Sequence, residues 1–178
     1  MKVCFVTVGA TAGFDELLRN VLSDTFITAL KNCGFTHLMV QYGAHGQQIF
    51  TEFLEAHPEG CEKLQNLGVG GFDFKPSLDP YFAMAVKNPR KSQELGLVVS
   101  HGGSGTVLGA MQFGLPLILV PNEHLANNHQ EELVKTLSKM GYAHKATPET
   151  VAEVVPVAVA RGRKGQAPMP GRAVTAAM

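Results

Sequence analysis

The chain contains no tryptophan, has only three cysteines and carries no net charge. Fifteen Lys and Arg balance fifteen Asp and Glu, so no overall field attracts the protein to nucleic acid or to an anionic membrane. Cys4, Cys33 and Cys61 form no CxxC pair, which argues against a disulfide framework or a structural zinc site and fits a reducing compartment. No segment approaches the roughly 18 consecutive apolar residues of a transmembrane helix, so at a membrane another molecule would have to hold the protein.

Several catalytic motifs are missing as well. No GxSxG is present, and Cys4 lies within a predicted strand, where a thiol acts as a small hydrophobic group. His124 and His129 do not have the i,i+4 spacing of a zinc-binding helix, and no clustered carboxylates accompany them. We therefore expect neither nucleophilic catalysis nor a bound metal.

The sequence does contain a regular alternation of short apolar runs and amphipathic segments. The apolar runs predict buried strands at residues 3–8, 37–41, 67–74, 95–99, 115–120 and 142–145. The amphipathic segments predict helices at residues 14–31, 49–55, 76–86, 104–113 and 125–140, and a last helix that Pro148 opens. This order predicts an α/β fold, a Rossmann-like open parallel sheet with helices on both faces.

The length of the chain fits one domain, which we place at residues 1–160. Residues 161–178 are rich in Pro, Gly and Ala without periodicity, and we predict that they form a disordered tail. In the helix at 125–140, an exposed i,i+4 pair is expected between Glu131 and Lys135. The core face of that helix is expected to consist of Leu125, Leu133, Val134, Leu137 and Met140.

The most informative segment is the glycine-rich stretch Ser100-His101-Gly102-Gly103-Ser104-Gly105-Thr106, between a predicted strand and a predicted helix. Its glycines allow close approach of a ligand to the backbone, and the N-terminus of the helix favours negative charge at the same place. A diphosphate is the ligand that fits this chemistry. The alternative is a tight turn in which Ser104 serves as an N-cap.

Two further loops follow predicted strands and would meet the first at the same edge of the sheet. One contains Gly9, Ala10, Thr11 and Gly13, and its alternative is a plain connecting turn. The other runs from residue 121 to 130 and concentrates Asn, Glu, His and Gln, which supply the donors and acceptors that sugar hydroxyls require. Its alternative is a cluster of helix-capping residues.

Five segments taken together resemble a known family. They are residues 5–11 (FVTVGAT), 14–18 (FDELL), 41–43 (QYG), 99–105 (VSHGGSG), and 120–123 (VPNE) with 127–133 (NNHQEEL). The series resembles the donor-binding catalytic subunit of the two-part UDP-N-acetylglucosamine transferase of dolichol-linked oligosaccharide synthesis, of the glycosyltransferase family 28 type. The likeness extends from about residue 3 to residue 142.

The resemblance implies the fold of the C-terminal half of a GT-B glycosyltransferase. It also implies transfer of N-acetylglucosamine from UDP-N-acetylglucosamine to the lipid-linked acceptor dolichyl-diphosphate-N-acetylglucosamine, with inversion to a β1,4 link and without a metal or other cofactor. A separate membrane-anchored subunit would bind the acceptor and recruit this chain from the cytosol to the cytosolic face of the endoplasmic reticulum.

Carried over by position, the resemblance assigns three groups of residues to the donor site. His101, Gly102, Gly103, Ser104, Gly105 and Thr106 would face the diphosphate, and Gly9, Ala10 and Thr11 would line the donor cleft. The sugar or ribose would be contacted by Asn122, Glu123, Asn127, Asn128, His129 and Gln130. The attacking hydroxyl needs a general base, for which His101 and Glu123 are candidates by residue type, and which the partner subunit could also supply.

The chain departs from the family at two places. Gly109 stands where members usually carry Glu, and the residues after about 159 do not resemble the C-terminal helix that docks on the membrane subunit. Two alternatives therefore stay open. One is a non-catalytic scaffold, and the other is a dinucleotide-binding oxidoreductase, because Gly103-Ser104-Gly105 follows a strand and Glu123 ends the next one.

Overall fold

The structure, a computed structural model, describes residues 1–9, 13–58, 61–122 and 128–163, with the backbone alone at 128–130 and 163. Within these residues six strands form one fully parallel sheet in the order β3-β2-β1-β4-β5-β6. The strands are β1 (Val3–Thr7), β2 (His37–Gln41), β3 (Gly68–Phe72), β4 (Leu97–Ser100), β5 (Leu117–Leu119) and β6 (His144–Lys145). The predicted α/β class and open parallel sheet are confirmed.

Helices cover both faces of the sheet, as predicted. One face carries α1 (Asp15–Val21), α2 (Asp24–Asn32), α3 (Gln47–Ala56) and α7 (Val151–Arg163), and the other carries α4 (Asp79–Ala85), α5 (Ser104–Gln112) and α6 (Asn128–Lys139). Strand β1 supplies both cores, because Cys4 and Val6 pack on one face and Phe5 on the other. Cys4 is fully buried in this core, which confirms it as a packing residue, and burial raises the pKa of its thiol far above its ordinary value.

The strand order reverses direction between β1 and β4, which are neighbours in the sheet. From β1 the chain continues to β2 and then β3 on one side, whereas from β4 it continues to β5 and β6 on the other. The loops that leave β1 and β4 therefore diverge and open a crevice between them. In open α/β sheets this switch point is where ligands bind.

The segment predicted as one helix at 14–31 is two helices in the structure. Ser23 interrupts it, since its hydroxyl accepts a hydrogen bond from the Phe26 amide (3.3 Å) and caps α2. The apolar side of the predicted helix is nevertheless buried, because α1 and α2 both pack on the same face of the sheet. Gly34 follows α2 with φ +77°, which is the left-handed conformation common after a helix.

Three details of the C-terminal third differ from expectation. Met140 is 64% exposed and lies just beyond the end of α6 at Lys139, so it does not continue the core face of the helix. Helix α7 begins at Val151 rather than at Pro148, after a turn in which the Thr147 amide donates to the Thr150 hydroxyl (2.9 Å). It continues to Arg163, past the boundary predicted at residue 160, and residues 164–178 lie outside the described residues.

Two expectations for α6 are confirmed within the described side chains. Val134 and Leu137 are buried, and Leu133 packs partly buried beside them. Lys135 donates to the Glu131 carboxylate at 2.8 Å on the exposed side of the helix. Because both side chains are open to solvent, this pair adds little to stability.

Candidate functional site

The candidate site lies at the carboxyl edge of the sheet, around the crevice between β1 and β4. Thr7 and Ser100 are paired in register at the ends of these two strands. The loops that follow therefore begin side by side, and Asn122 approaches them after β5. The structure thus brings the described parts of all three predicted loops to one edge, although their role in binding stays a prediction.

The imidazole of His101 fills the space between the first two loops. Its ring atoms lie 3.2 Å from the point where a Cβ would stand on Gly9, and Nε2 lies 2.6 Å from the equivalent point on Gly103. The Thr7 carbonyl accepts hydrogen bonds from both the amide (3.2 Å) and Nδ1 (3.4 Å) of His101. Because a carbonyl can only accept, Nδ1 carries the hydrogen, and the neutral ring presents Nε2 as an acceptor.

The first turn of α5 lies beside this ring and has a bare N-terminus. Gly103 occupies the N-cap position, which the alternative interpretation gave to Ser104, and it has no side chain with which to cap the helix. The first amides of any α-helix lack partners within the helix and carry partial positive charge. The arrangement therefore suits an anion, and the alternative with Ser104 as an N-cap is wrong.

Gly103 and Gly105 differ in what surrounds them. A side chain at Gly103 would collide with the His101 ring, so this glycine makes room for the imidazole. A Cβ on Gly105 would meet no described atom within 4 Å. The space beside Gly105 is thus left open next to the helix N-terminus.

A cavity of about 450 Å³ adjoins the loops after β1, β2 and β5. The Asn122 side chain, which is 3% exposed, donates to the Gly13 carbonyl at 3.3 Å and so ties two of these loops together. The cavity is lined by Gly13, Phe14, Asp15, Glu16, His45 and Asn122. A volume of this size is within the range of small-molecule sites.

His45, Asp15 and Glu16 line this cavity but were not among the predicted site residues. The signal that could have found His45 is its place after β2, because the carboxyl end of β2 reaches the same edge as β1. Asp15 and Glu16 resemble ordinary acidic residues in the first turn of a helix, so sequence reasoning gives them a different explanation.

Part of the predicted site cannot be placed. Ala10, Thr11, Glu123 and Asn127 lie outside the described residues. Asn128, His129 and Gln130 begin α6, but their side chains are outside the described part of the chain. Of the two predicted base candidates, His101 is therefore the one whose surroundings are known.

No group of three or more His, Cys, Asp or Glu side chains could hold a metal ion among the described residues. In the same part of the chain no helix is long and apolar enough to span a membrane. The expected independence from metals stays a prediction.

Acid should destabilise the protein partly through His101. Burial lowers the pKa of His101 below its ordinary value of 6.5, with the Thr7 hydrogen bond opposing the shift. As pH falls below about 6.5, His101 binds a proton more readily in the unfolded chain than in the folded protein, so the free energy of unfolding decreases. Above that pH His101 is neutral in both states, and its contribution to stability is constant. His101→Gln should therefore lose less stability than wild type between about pH 7.5 and about pH 5.5, measured by urea unfolding.

Burial also lowers the pKa of His144, so His101→Gln should still lose some stability as the pH falls. The double variant His101→Gln/His144→Gln should lose less stability than His101→Gln alone. An equal loss of stability in His101→Gln and wild type would contradict the burial of a neutral imidazole at the site.

Solved structures share this architecture, which is the fold of the C-terminal half of a GT-B glycosyltransferase. The crystal structure of MurG from Acinetobacter baumannii aligns with a TM-score of 0.59 at 16% identity, over 92% of this chain and 46% of that one, which shows the fold alone. An NMR structure of ALG13 aligns with a TM-score of 0.63 at 27% identity, over 96% of this chain and 90% of that one.

The family model "Glycosyltransferase family 28 C-terminal domain" matches residues 3–176, and the chain belongs to this family. It is 31% identical to the UDP-N-acetylglucosamine transferase subunit ALG13 of Saccharomyces cerevisiae, over 83% of this chain and 78% of that protein. It is 33% identical to the subunit of the same name in Mus musculus, over 89% of this chain but 12% of that much longer protein. Membership of this family makes the chain a glycosyltransferase domain and leaves the oxidoreductase alternative without support.

Proposed function

We propose that this chain is the donor-binding subunit of a UDP-N-acetylglucosamine transferase and works with a membrane-anchored partner at the cytosolic face of the endoplasmic reticulum. The two subunits together would transfer N-acetylglucosamine to dolichyl-diphosphate-N-acetylglucosamine, inverting the anomeric centre to form a β1,4 link. Relatives named as subunits of this transferase support the proposal, and so does the family resemblance of the motifs.

The observation that carries the proposal is the uncapped N-terminus of α5 at the switch point of the sheet. Backbone amides at Gly103 to Gly105 would bind the diphosphate of the donor and stabilise the charge that develops on departing UDP. This charge stabilisation would replace a metal ion, so we propose that no metal or other cofactor is required. The 450 Å³ cavity beside Asn122 is the space proposed for the sugar.

His101 has two proposed roles in this reaction. Its ring separates Gly9 from Gly103 and so keeps the crevice at a fixed width. Its neutral Nε2 can also accept a proton, which keeps His101 as a candidate base alongside Glu123 or a group of the partner subunit.

Ligand-induced stabilisation tests the donor. A ligand that binds the folded state raises the melting temperature according to RT ln(1 + [L]/Kd), so UDP-N-acetylglucosamine should stabilise the purified chain. NAD at the same concentration is the control and should have no effect. Stabilisation by NAD but not by the UDP-sugar would overturn the proposal.

Gly109 favours a second candidate function, a scaffold that has lost turnover. In the structure a Cβ at this position would lie 2.5 Å from the Phe82 ring, so the site cannot accept the carboxylate that relatives carry without a rearrangement. An assay of the chain co-expressed with its membrane subunit, using labelled donor and a short-chain lipid acceptor, separates the two candidates. Transfer that requires both chains supports the enzyme, whereas donor binding without transfer supports the scaffold.

A further inference from the structure

Three neighbouring strands end in buried polar residues at the same level of the sheet. Thr7 of β1 is paired in register with Gln41 of β2 on one side and with Ser100 of β4 on the other. Thr7 and Ser100 are fully buried and Gln41 is 3% exposed. Burial of a polar group costs free energy unless it is hydrogen-bonded, so the bonds that these side chains make are informative.

The Thr7 hydroxyl connects β2 to the first glycine loop. It donates to the Gln41 side-chain oxygen at 2.6 Å, which uses its hydrogen. The oxygen is then an acceptor, and the Gly9 amide donates to it at 3.4 Å. Gly9 has φ +95°, so this contact supports a backbone conformation that L-residues rarely adopt.

The Ser100 hydroxyl repeats the arrangement on the neighbouring strand. It accepts a hydrogen bond from the Gly102 amide at 3.2 Å. Gly102 has φ +92°, close to the value at Gly9. Each of the two strands at the switch point therefore ends in a residue whose side-chain hydroxyl accepts a hydrogen bond from the backbone amide two residues later. In both cases that amide belongs to a glycine with positive φ.

Thr7 also links the two loops through its backbone. Its carbonyl accepts both hydrogen bonds from His101, the residue that follows Ser100. Displacement of Thr7 would thus be transmitted to Gly9 directly and to Gly103 through the His101 ring.

We propose that the hydroxyl groups of Thr7 and Ser100 are positioning groups for the nucleotide-sugar site, which hold both glycine loops in their binding conformation before the donor arrives. Neither side chain touches the donor, because both lie beneath the loops. The inference rests on the proposed function. Donor affinity would then depend on the buried hydrogen bonds that Thr7 and Ser100 make at the ends of their strands.

Thr7→Val tests the first hydroxyl, since it keeps the shape and the β-branched character of the side chain and removes only the hydrogen bonds. We expect Kd for UDP-N-acetylglucosamine, measured by calorimetry on the full chain, to rise about tenfold, which corresponds to the net value of a single hydrogen bond. Thr7→Ser restores the hydroxyl and should restore the affinity. Thr36→Val is the matched control, because the Thr36 hydroxyl accepts from the Lys2 amide (2.9 Å) at the opposite edge of the sheet.

Thr36→Val should lower the stability of the protein without changing Kd for UDP-N-acetylglucosamine. This control distinguishes a specific effect on the loops from a general effect of lower stability. Ser100→Ala, with Ser100→Thr as its rescue, tests the second hydroxyl and also serves if Thr7→Val does not fold. Unchanged affinity in folded Thr7→Val or Ser100→Ala, or no rescue by the hydroxyl-bearing variants, would overturn this inference while the proposed function stands. Failure of the wild-type chain to bind the UDP-sugar would instead overturn the proposed function.

Discussion

Replacing Gly105 with alanine should lower the affinity for UDP-N-acetylglucosamine at least tenfold while the protein stays folded and as stable as wild type. The added Cβ meets nothing within 4 Å among the residues that the structure describes, so it clashes with none of them. Alanine is favoured over glycine in a helix by about 1 kcal/mol, so stability should be unchanged or higher. A diphosphate held by the first amides of α5 would approach this Cβ closely, and affinity should therefore fall.

Two variants in the same segment make the result specific. Gly103→Ala should lower both stability and affinity, because its Cβ would stand 2.6 Å from Nε2 of His101. Leu108→Ala changes a half-exposed side chain of α5 away from its N-terminus and should alter neither. Thermal unfolding and calorimetric titration measure the two quantities separately. Wild-type affinity in folded Gly105→Ala would mean that the diphosphate does not lie at this helix terminus.

Introducing the carboxylate that the family resemblance implies at this position, Gly109→Glu, should lower the free energy of unfolding by about 1–3 kcal/mol, the usual cost of overpacking a core. The new Cβ would stand 2.5 Å from the Phe82 ring. Phe82 is 2% exposed and packs edge-on against Phe5 at a centroid distance of 5.7 Å, so it has little freedom to move. Chemical denaturation measures the loss.

The preceding residue of the helix, Leu108, provides the control. Leu108→Glu adds the same carboxylate at a position that is 52% exposed and should change stability little. Phe82→Leu removes part of the ring, so the double variant with Gly109→Glu should be more stable than the sum of the single effects predicts. Additive effects would show that Gly109 and Phe82 are not coupled. Tighter binding of UDP in the double variant than in Phe82→Leu alone would show that a carboxylate at this position contributes to nucleotide binding.

The local elements and the position of the glycine loops could be predicted from the sequence. The strand 37–41 and the helix beginning at Ser104 agree with the structure, because their periodicity and their flanking glycines are local signals. The break at Ser23 was missed, since an apolar stripe continues across it and a serine hydroxyl can either cap a helix or point to solvent. Met140 was misplaced for a related reason, because helical periodicity does not show where a helix ends.

The candidate site was predicted less completely than the fold. The loops after β1, β4 and β5 were recognised from glycines and clustered polar residues, whereas His45 was not, because it has no such neighbours in sequence. The steric relation between Gly103 and the His101 ring also could not be predicted from the sequence, because the structure alone places the ring against this glycine. A single sequence shows that a side chain is missing but not which atom occupies its place.

The sequence by itself determined the parallel α/β class, the succession of strands and helices and the resemblance to a glycosyltransferase family, because these depend on local patterns and on the order of motifs. Only the tertiary structure decided that β1 and β4 are neighbours, that the Thr7 carbonyl binds His101, and that Phe82 occupies the space beside Gly109. These contacts join residues far apart along the chain. They follow from the packing of the whole sheet and its two layers of helices, which no local pattern encodes.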